Sequence, residues 1–318
     1  IGRYALRGMG VVAGDVDDDG DTDIYVANDK DMNLLFINNG KGRFTESSMI
    51  LGTGFNANGL AEAGMGVDVG DINRNGLLDI FVTNYSGETN TLYLNQGHGL
   101  FLDETDFKGL GRPSFHFLAF GTKFVDLNLD GWLDLYVGNG HVIDNINLFN
   151  NQYSHRQHDQ IYMNESGTFT DQTKLIGLDI QDKFVTRGVA SADIDNDGDI
   201  DLIISNNNDE ASLLINEGVP QNNWIGFYLK GVEANRQAIG SKIKIHTNSG
   251  SQVSYVNPSG SYLSSNDQRI VFGLGKEEKV KMVEIFWAGG IEKEIFNNLD
   301  SNYYYKIIEG VSISIITY

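Results

Sequence analysis

The chain has 318 residues, 41% of them hydrophobic, with 38 Gly, three Pro, no Cys and a formal net charge of −20. This composition supports packed cores and excludes a disordered chain or a disulfide scaffold. The acidic balance excludes a nucleic-acid binder, whose partner needs cations, and disfavours an anionic membrane surface.

No run of about 18 apolar residues occurs, so no transmembrane helix is predicted. Residues 1–218 hold 34 acidic and 13 basic side chains, and residues 219–318 hold nine and ten. The length fits two domains, and the charge places a boundary near residue 218. VPQNN at 219–223, with Pro220, reads as the linker.

In chain order, the first stretch is a unit written four times. A Gly-rich entry strand comes first: GMGVVAGD at 8–15, GMGVDVGD at 64–71, FGTKFVD at 120–126 and RGVASAD at 187–193. A nine-residue loop follows: DVDDDGDTD at 15–23, DINRNGLLD at 71–79, DLNLDGWLD at 126–134 and DIDNDGDID at 193–201. Next come aliphatic strands (IYVAN, IFVTN, LYVGN, LIISN), rich in β-branched and aromatic residues. A hairpin with Asn-Gly, Gly-x-Gly or Ser-Gly turn chemistry closes the unit; in the fourth copy it is shorter, LLINEG. Each unit holds about four short strands, and a recurring period of this size predicts the blades of a β-propeller.

Each loop carries Asp or Asn at positions 1, 3 and 5, Gly at 6 and Asp at 9. Calcium takes six to eight oxygen ligands, and alternate side chains of a tight loop, with the carbonyl of position 7, can converge on one ion. The predicted ligands are Asp15, Asp17, Asp19, Asp21 and Asp23; Asp71, Asn73, Asn75, Leu77 and Asp79; Asp126, Asn128, Asp130, Trp132 and Asp134; and Asp193, Asp195, Asp197, Asp199 and Asp201. Leu77 and Trp132 enter only through their carbonyls. Position 12 is Val26, Val82, Val137 and Ile204, so the bidentate Glu of an EF-hand is missing. Carboxylate number ranks loops one and four as tight, three as intermediate and two as weak. Up to four Ca²⁺ are expected. The bland alternative is acidic turns whose Asp side chains cap backbone amides.

The blade pattern GMGVxxGDxDxDGxxDxxVxN…LYxNxGxGxFxDxT resembles the FG-GAP/VCBS type of propeller blade. NGH at 139–141 and SGETN at 86–90 resemble the subset related to cartilage acidic protein. The remainder, IGSKIKIHTNSGSQVSYVNPSGSYLSSNDQRIVFGLG followed by VKMVEIFWAGGIEKEIFNNLDSNYYYKIIEG, resembles the ASPIC/UnbV domain. Its IGSK strand, Gly-Ser-Tyr turn, FGLG strand, W-x-x-G hairpin and closing IxEG occur in the family's order. Two positions depart: Ala288 follows the Trp where the family has Pro, and Leu263-Ser264-Ser265 replaces Ser-Gln. The resemblance implies a ring of about seven blades, so this chain is expected to be N-terminally truncated. An open arc is expected, with apolar residues 9–12 lacking a neighbour.

For residues 219–318 alternation predicts strands at 224–230, 242–247, 252–256, 269–273, 281–287, 293–297 and 303–308, a small β-sandwich or barrel. The fold class expected is all-β. The long connection GNGHVIDNINLFNNQYSHRQHDQ offers His141, His155, His158 and Asp159 as a weaker, zinc-type alternative. It also offers Phe149 and Tyr153 as contact area for a partner. No catalytic motif occurs: no GxSxG, P-loop, dinucleotide fingerprint or HExxH.

The function expected is therefore a non-catalytic calcium-binding module for binding or adhesion, outside the cell or in its envelope, with a protein or glycan partner. Extracellular calcium modules work at about 10⁻⁴–10⁻³ M. The alternatives are a propeller-based hydrolase or lyase acting on a polysaccharide, marked by carboxylates of raised pKa in a central cleft, and a purely structural scaffold.

Overall fold

The computed structural model describes residues 6–175, 182–289 and 293–317. It is built almost entirely of antiparallel sheets. The first is β1 (Gly8–Gly14), β2 (Asp23–Asn28), β3 (Leu34–Asn38) and β4 (Phe44–Glu46); the second is β5 (Val67–Gly70), β6 (Asp79–Val82), β7 (Thr91–Asn95) and β8 (Phe101–Asp103). The third is β9 (Ala119–Val125), β10 (Asp134–Asn139), β11 (Gln160–Asn164) and β12 (Phe169–Asp171). Each is a simple meander in chain order. The fourth copy, β13 (Thr186–Ala192), β14 (Asp201–Asn206) and β15 (Ser212–Leu214), forms three strands among the described residues, in keeping with its shortened hairpin.

Successive sheets stand side by side, the first strand of each beside the first strand of the next. Between them lie apolar seams. Val12, Tyr25, Leu35, Ile80 and Tyr93 fill the first; Phe81, Leu92, Phe124, Leu135 and Tyr162 the second; Tyr136, Ile161, Val189 and Leu202 the third. This is blade-on-blade packing, and the all-β propeller architecture expected from the repeats is what the chain forms. The period-2 alternation sends one face of each strand into each seam. Of the residues expected to lack a neighbour, Val11 is exposed but Val12 is buried against the second blade, and Met9 packs on Ala63 and Met65.

The C-terminal region forms two four-stranded sheets. One runs in the order β19 (Ile270–Gly275), β16 (Asn223–Lys230), β22 (Tyr304–Ile308) and β23 (Ser312–Ile316), with β16 and β22 parallel. The other runs β18 (Ser251–Tyr255), β17 (Lys242–His246), β20 (Lys279–Phe286) and β21 (Glu294–Asp300). One core that includes Ile225, Phe227, Ile243, Ile245, Val283, Ile285 and Trp287 lies between them, which makes a small sandwich. The edge strand β23 escaped prediction because SISII follows the IxEG that reads as a terminus. The Glu of that motif, Glu309, accepts hydrogen bonds from three successive amides at Val232, Glu233 and Ala234. Burial opposes its charge, but the three donors win and hold its pKa below the usual carboxylate range. The tip of the W-x-x-G hairpin, at Gly290, lies outside the described residues.

The two regions are interlocked. The turn at residues 257–266 reaches the first strands of all four blades. Asn257 and Ser259 bond to Ala13, Ser261 pairs with Val67, the Ser261 hydroxyl accepts from Thr122 and Val189, and Asn266 accepts from Ser191. Gly260, in the left-handed region at φ 106°, passes so close to Asp68 that a side chain there would collide with the carboxylate. The Gly-Ser-Tyr turn therefore plugs the centre of the blade array.

Candidate metal centres

All four loops adopt one backbone. Position 6 is a left-handed Gly in each: Gly20, Gly76, Gly131 and Gly198, at φ 86–99°. Position 4 is also left-handed, although it is Asp18, Arg74, Leu129 or Asn196, at φ 57–64°. Two such residues two apart turn the chain tightly enough for positions 1, 3 and 5 to face one another.

The first Asp organises the turn. Asp15 accepts from the amides of Asp19 and Gly20, each at 3.0 Å; Asp71 from Asn75 (3.0 Å) and Gly76 (2.8 Å); Asp126 from Asp130 (3.1 Å) and Gly131 (2.7 Å). Position 5 accepts from the amide of position 7 in all four loops: Asp19 from Asp21, Asn75 from Leu77, Asp130 from Trp132 and Asp197 from Asp199. Position 3 joins this pattern in the Asn loops, where Asn73 and Asn128 accept from the position-5 amide.

Position 9 has a different task. Asp23, Asp79, Asp134 and Asp201 are all buried. One oxygen accepts from the amide of position 2, and the other from the amide of an Asn at or just past the end of the third strand: Asn38, Asn95, Asn164 or Asn216. That Asn continues the chain of bonds to the preceding blade. Asn95 donates to Val16 O, Asn164 to Ile72 O and Asn216 to Leu127 O. The ninth-position Asp is thus a clamp between loop, hairpin and neighbouring blade. The recurring Asn in FIN, YLN, YMN and LIN was the signal in the sequence.

Three carboxylates converge at two loops among the described residues. Oxygens of Asp15, Asp17 and Asp19 lie within 4.8 Å of one another, as do those of Asp193, Asp195 and Asp197. The same loops hold buried oxygens that accept no hydrogen bond: Asp17 Oδ1, Asp193 Oδ1 and Asp199 Oδ1. Loops two and three have Asn at one or two of these positions, and their side-chain oxygens are spent on amides. Burial also drives the loop acids toward neutrality. Asp15 is pushed up to about 6, Asp23 and Asp126 to about 7, and Asp79 and Asp134 to about 8. Nearby loop acids add to the shift, against the pull of the backbone amides. An all-oxygen, acidic, partly buried cradle with unsatisfied acceptors fits a hard divalent cation.

Of the alternative histidine set, His141 and His155 come together, the His141 amide donating to the His155 carbonyl at 2.9 Å. His141 Nε2 and His155 Nδ1 are buried without hydrogen-bond partners. His158 and Asp159 do not join them in a metal cluster among the described residues. Asp159 is spent on the Tyr136 hydroxyl, the Asn139 amide and the Thr186 hydroxyl, and His158 packs on Phe117. His141 lies between Tyr85 and Tyr153, its Nδ1 accepting from the Ile143 amide.

The FG-GAP-like repeat model matches residues 15–82, 71–137 and 126–204, each stretch running from the first Asp of one loop to position 12 of the next. The ASPIC and UnbV model matches residues 231–314. The chain belongs to the FG-GAP-like repeat family and carries an ASPIC and UnbV domain. It is similar to cartilage acidic protein 1 of Homo sapiens, 26% identical over 97% of this chain and 44% of that protein. The Mus musculus counterpart is 26% identical over 91% of this chain and 43% of that one. The chain thus spans less than half the length of these relatives. Among solved structures, an N-acetylglucosamine-recognising lectin of Agrocybe aegerita superposes with a TM-score of 0.36 at 21% identity, covering 64% of this chain and 51% of the lectin. The exotype rhamnogalacturonan lyase YesX gives 0.34 at 13% identity, over 92% of this chain and 65% of the lyase. At these scores neither bears on ligand or activity. No helix among the described residues is long and apolar enough to cross a membrane.

Proposed function

We propose that this FG-GAP-like chain is a calcium-binding, non-catalytic binding or adhesion module of the extracellular space or cell envelope. We divide it into a propeller part at residues 1–218 and a C-terminal part at 219–318. The observation that carries the calcium reading is the convergence of three carboxylates, with a buried unpaired oxygen, at the first and fourth loops. The ions cross-brace acidic turns that otherwise repel themselves. Loops two and three, with fewer free oxygens, bind weakly.

The central cleft is where a binding module and an enzyme would differ. A cavity of about 140 Å³ opens between blades and sandwich, lined by Asp68, Asp71, Asp126 and Asp267 among others. Each of these acids is already engaged: Asp68 by Lys123 at 3.0 Å, Asp267 by Arg269 at 2.6 Å, and the other two by loop amides. Burial raises the pKa of Asp68, Asp71 and Asp126, the last to about 7, which is the mark expected of a propeller-based enzyme, but each of these carboxylates is held by the partners just named. A binding role rather than a bare scaffold is favoured by the connection after β10, where Val142, Leu148 and Phe149 are exposed.

The test is calorimetry of chelator-stripped protein. Two sites tight for Ca²⁺ are expected, with Mg²⁺ much weaker because it demands a smaller octahedron. Asp193→Ala removes one site and leaves the other. Equal binding of both ions, or of neither, contradicts the reading.

A further inference from the structure

The fourth loop differs from the other three in what holds its first Asp. Asp15, Asp71 and Asp126 each use both oxygens on the amides of positions 5 and 6. Asp193 uses Oδ2 alone, accepting from Gly198 N at 2.9 Å and from the Tyr304 hydroxyl at 2.6 Å. Its Oδ1 is buried and accepts no hydrogen bond. Tyr304 belongs to β22 of the C-terminal sandwich and is itself buried. From the same sandwich, Arg269 donates to the Asp193 carbonyl and, at 2.6 Å, to Asn196 Oδ1. Trp224 packs 4.9 Å from the Tyr304 ring and so close to Gly198 that no side chain would fit there.

We infer that Tyr304 and Arg269 are positioning residues of the fourth metal loop, so that cation binding there and docking of the C-terminal sandwich support each other. The inference rests on the calcium reading above. A hydroxyl held on the outer oxygen of a ligating carboxylate fixes its rotation and leaves the inner oxygen for the ion. Partners of this kind typically change metal affinity by about 10–100-fold. Arg269 holds the backbone carbonyl of position 1 and the side chain of position 4. The coupling is reciprocal: whatever the docked sandwich adds to ion affinity, the bound ion returns to docking. The first loop has a smaller version, in which Lys242 Nζ lies 2.6 Å from Asp18 Oδ1, an exposed pair with no bond to a converging carboxylate.

The experiment uses the full chain with Ca²⁺ as probe. Calorimetry compares wild type, Tyr304→Phe and Arg269→Gln, with Asp193→Ala marking which step of the isotherm belongs to the fourth loop. Tyr304→Phe keeps the ring packing and removes only the hydroxyl. It is expected to weaken that step about tenfold or more and leave the first-loop step unchanged. Arg269→Gln is expected to weaken the same step. In hydrogen exchange, Ca²⁺ should protect the amides of β22 in the wild type and less so in either variant. A merely structural role would lower the melting temperature without moving one binding step selectively. If wild type shows no step that Asp193→Ala abolishes, the calcium reading itself fails. If the step is present and both variants keep wild-type affinity, the coupling is overturned.

Discussion

Stripping the protein of divalent cations is expected to lower its melting temperature by about 10 °C or more near neutral pH. An ion that binds only the folded state adds about 2.7 kcal/mol at a hundredfold excess over Kd, so two tight loops add roughly 5 kcal/mol. For a domain of this size each kcal/mol moves the midpoint by about 2–4 °C. The pH dependence sharpens the expectation. In the ion-free protein Asp15, Asp23, Asp126, Asp79 and Asp134 titrate between about 6 and about 8, raised chiefly by burial. Unfolded Asp titrates near 3.9. Between these values the folded state holds protons that the unfolded state has lost, so stability falls as pH rises. The ion-free midpoint should therefore drop from pH 5 to pH 8. Ca²⁺ at the first loop replaces the protons of Asp15 and Asp23 and should make the slope shallower. Differential scanning calorimetry at both pH values, with and without chelator, checks this. Parallel curves would mean that the loops are self-sufficient turns.

The ninth-position clamp has the second large effect. Asp79→Ala leaves the amides of Ile72 and Asn95 buried without an acceptor. Each orphaned group costs about 1–3 kcal/mol, giving roughly 2–6 kcal/mol in total. It also loosens Asn95, whose side chain reaches Val16 O in the first blade and Leu78 O in its own. The loss should appear with or without Ca²⁺, unlike that of a pure ligand. Denaturant unfolding of wild type and variant in both conditions decides it. A loss confined to Ca²⁺-containing buffer would return Asp79 to the role of ligand only.

Much of this architecture was legible in the chain. The repeat spacing and tight-turn pairs gave the blades because each unit closes locally, and GMGV, FGTK or RGVA leads into the same loop every time. The loop chemistry was legible for the same reason: Asp15, Asp17 and Asp19 meet within a single turn. What escaped is non-local. Tyr304 lies 111 residues from Asp193, and nothing in YYYKII marks which Tyr turns inward. The Gly-Ser-Tyr turn could be recognised as a motif, but its place against all four blades depends on how two regions dock. The clamp role of the ninth Asp was hidden because clamp and ligand ask for the same carboxylate.

The central claim is that the first and fourth loops hold calcium. The most direct measurement is anomalous scattering from crystals grown with Ca²⁺, recorded at a wavelength where calcium scatters strongly. The account predicts two anomalous peaks about 2.3–2.6 Å from their ligand oxygens, one among Asp15, Asp17 and Asp19 and one among Asp193, Asp195 and Asp197. Density at both loops with no anomalous signal, refining as water at hydrogen-bond distances, would contradict it.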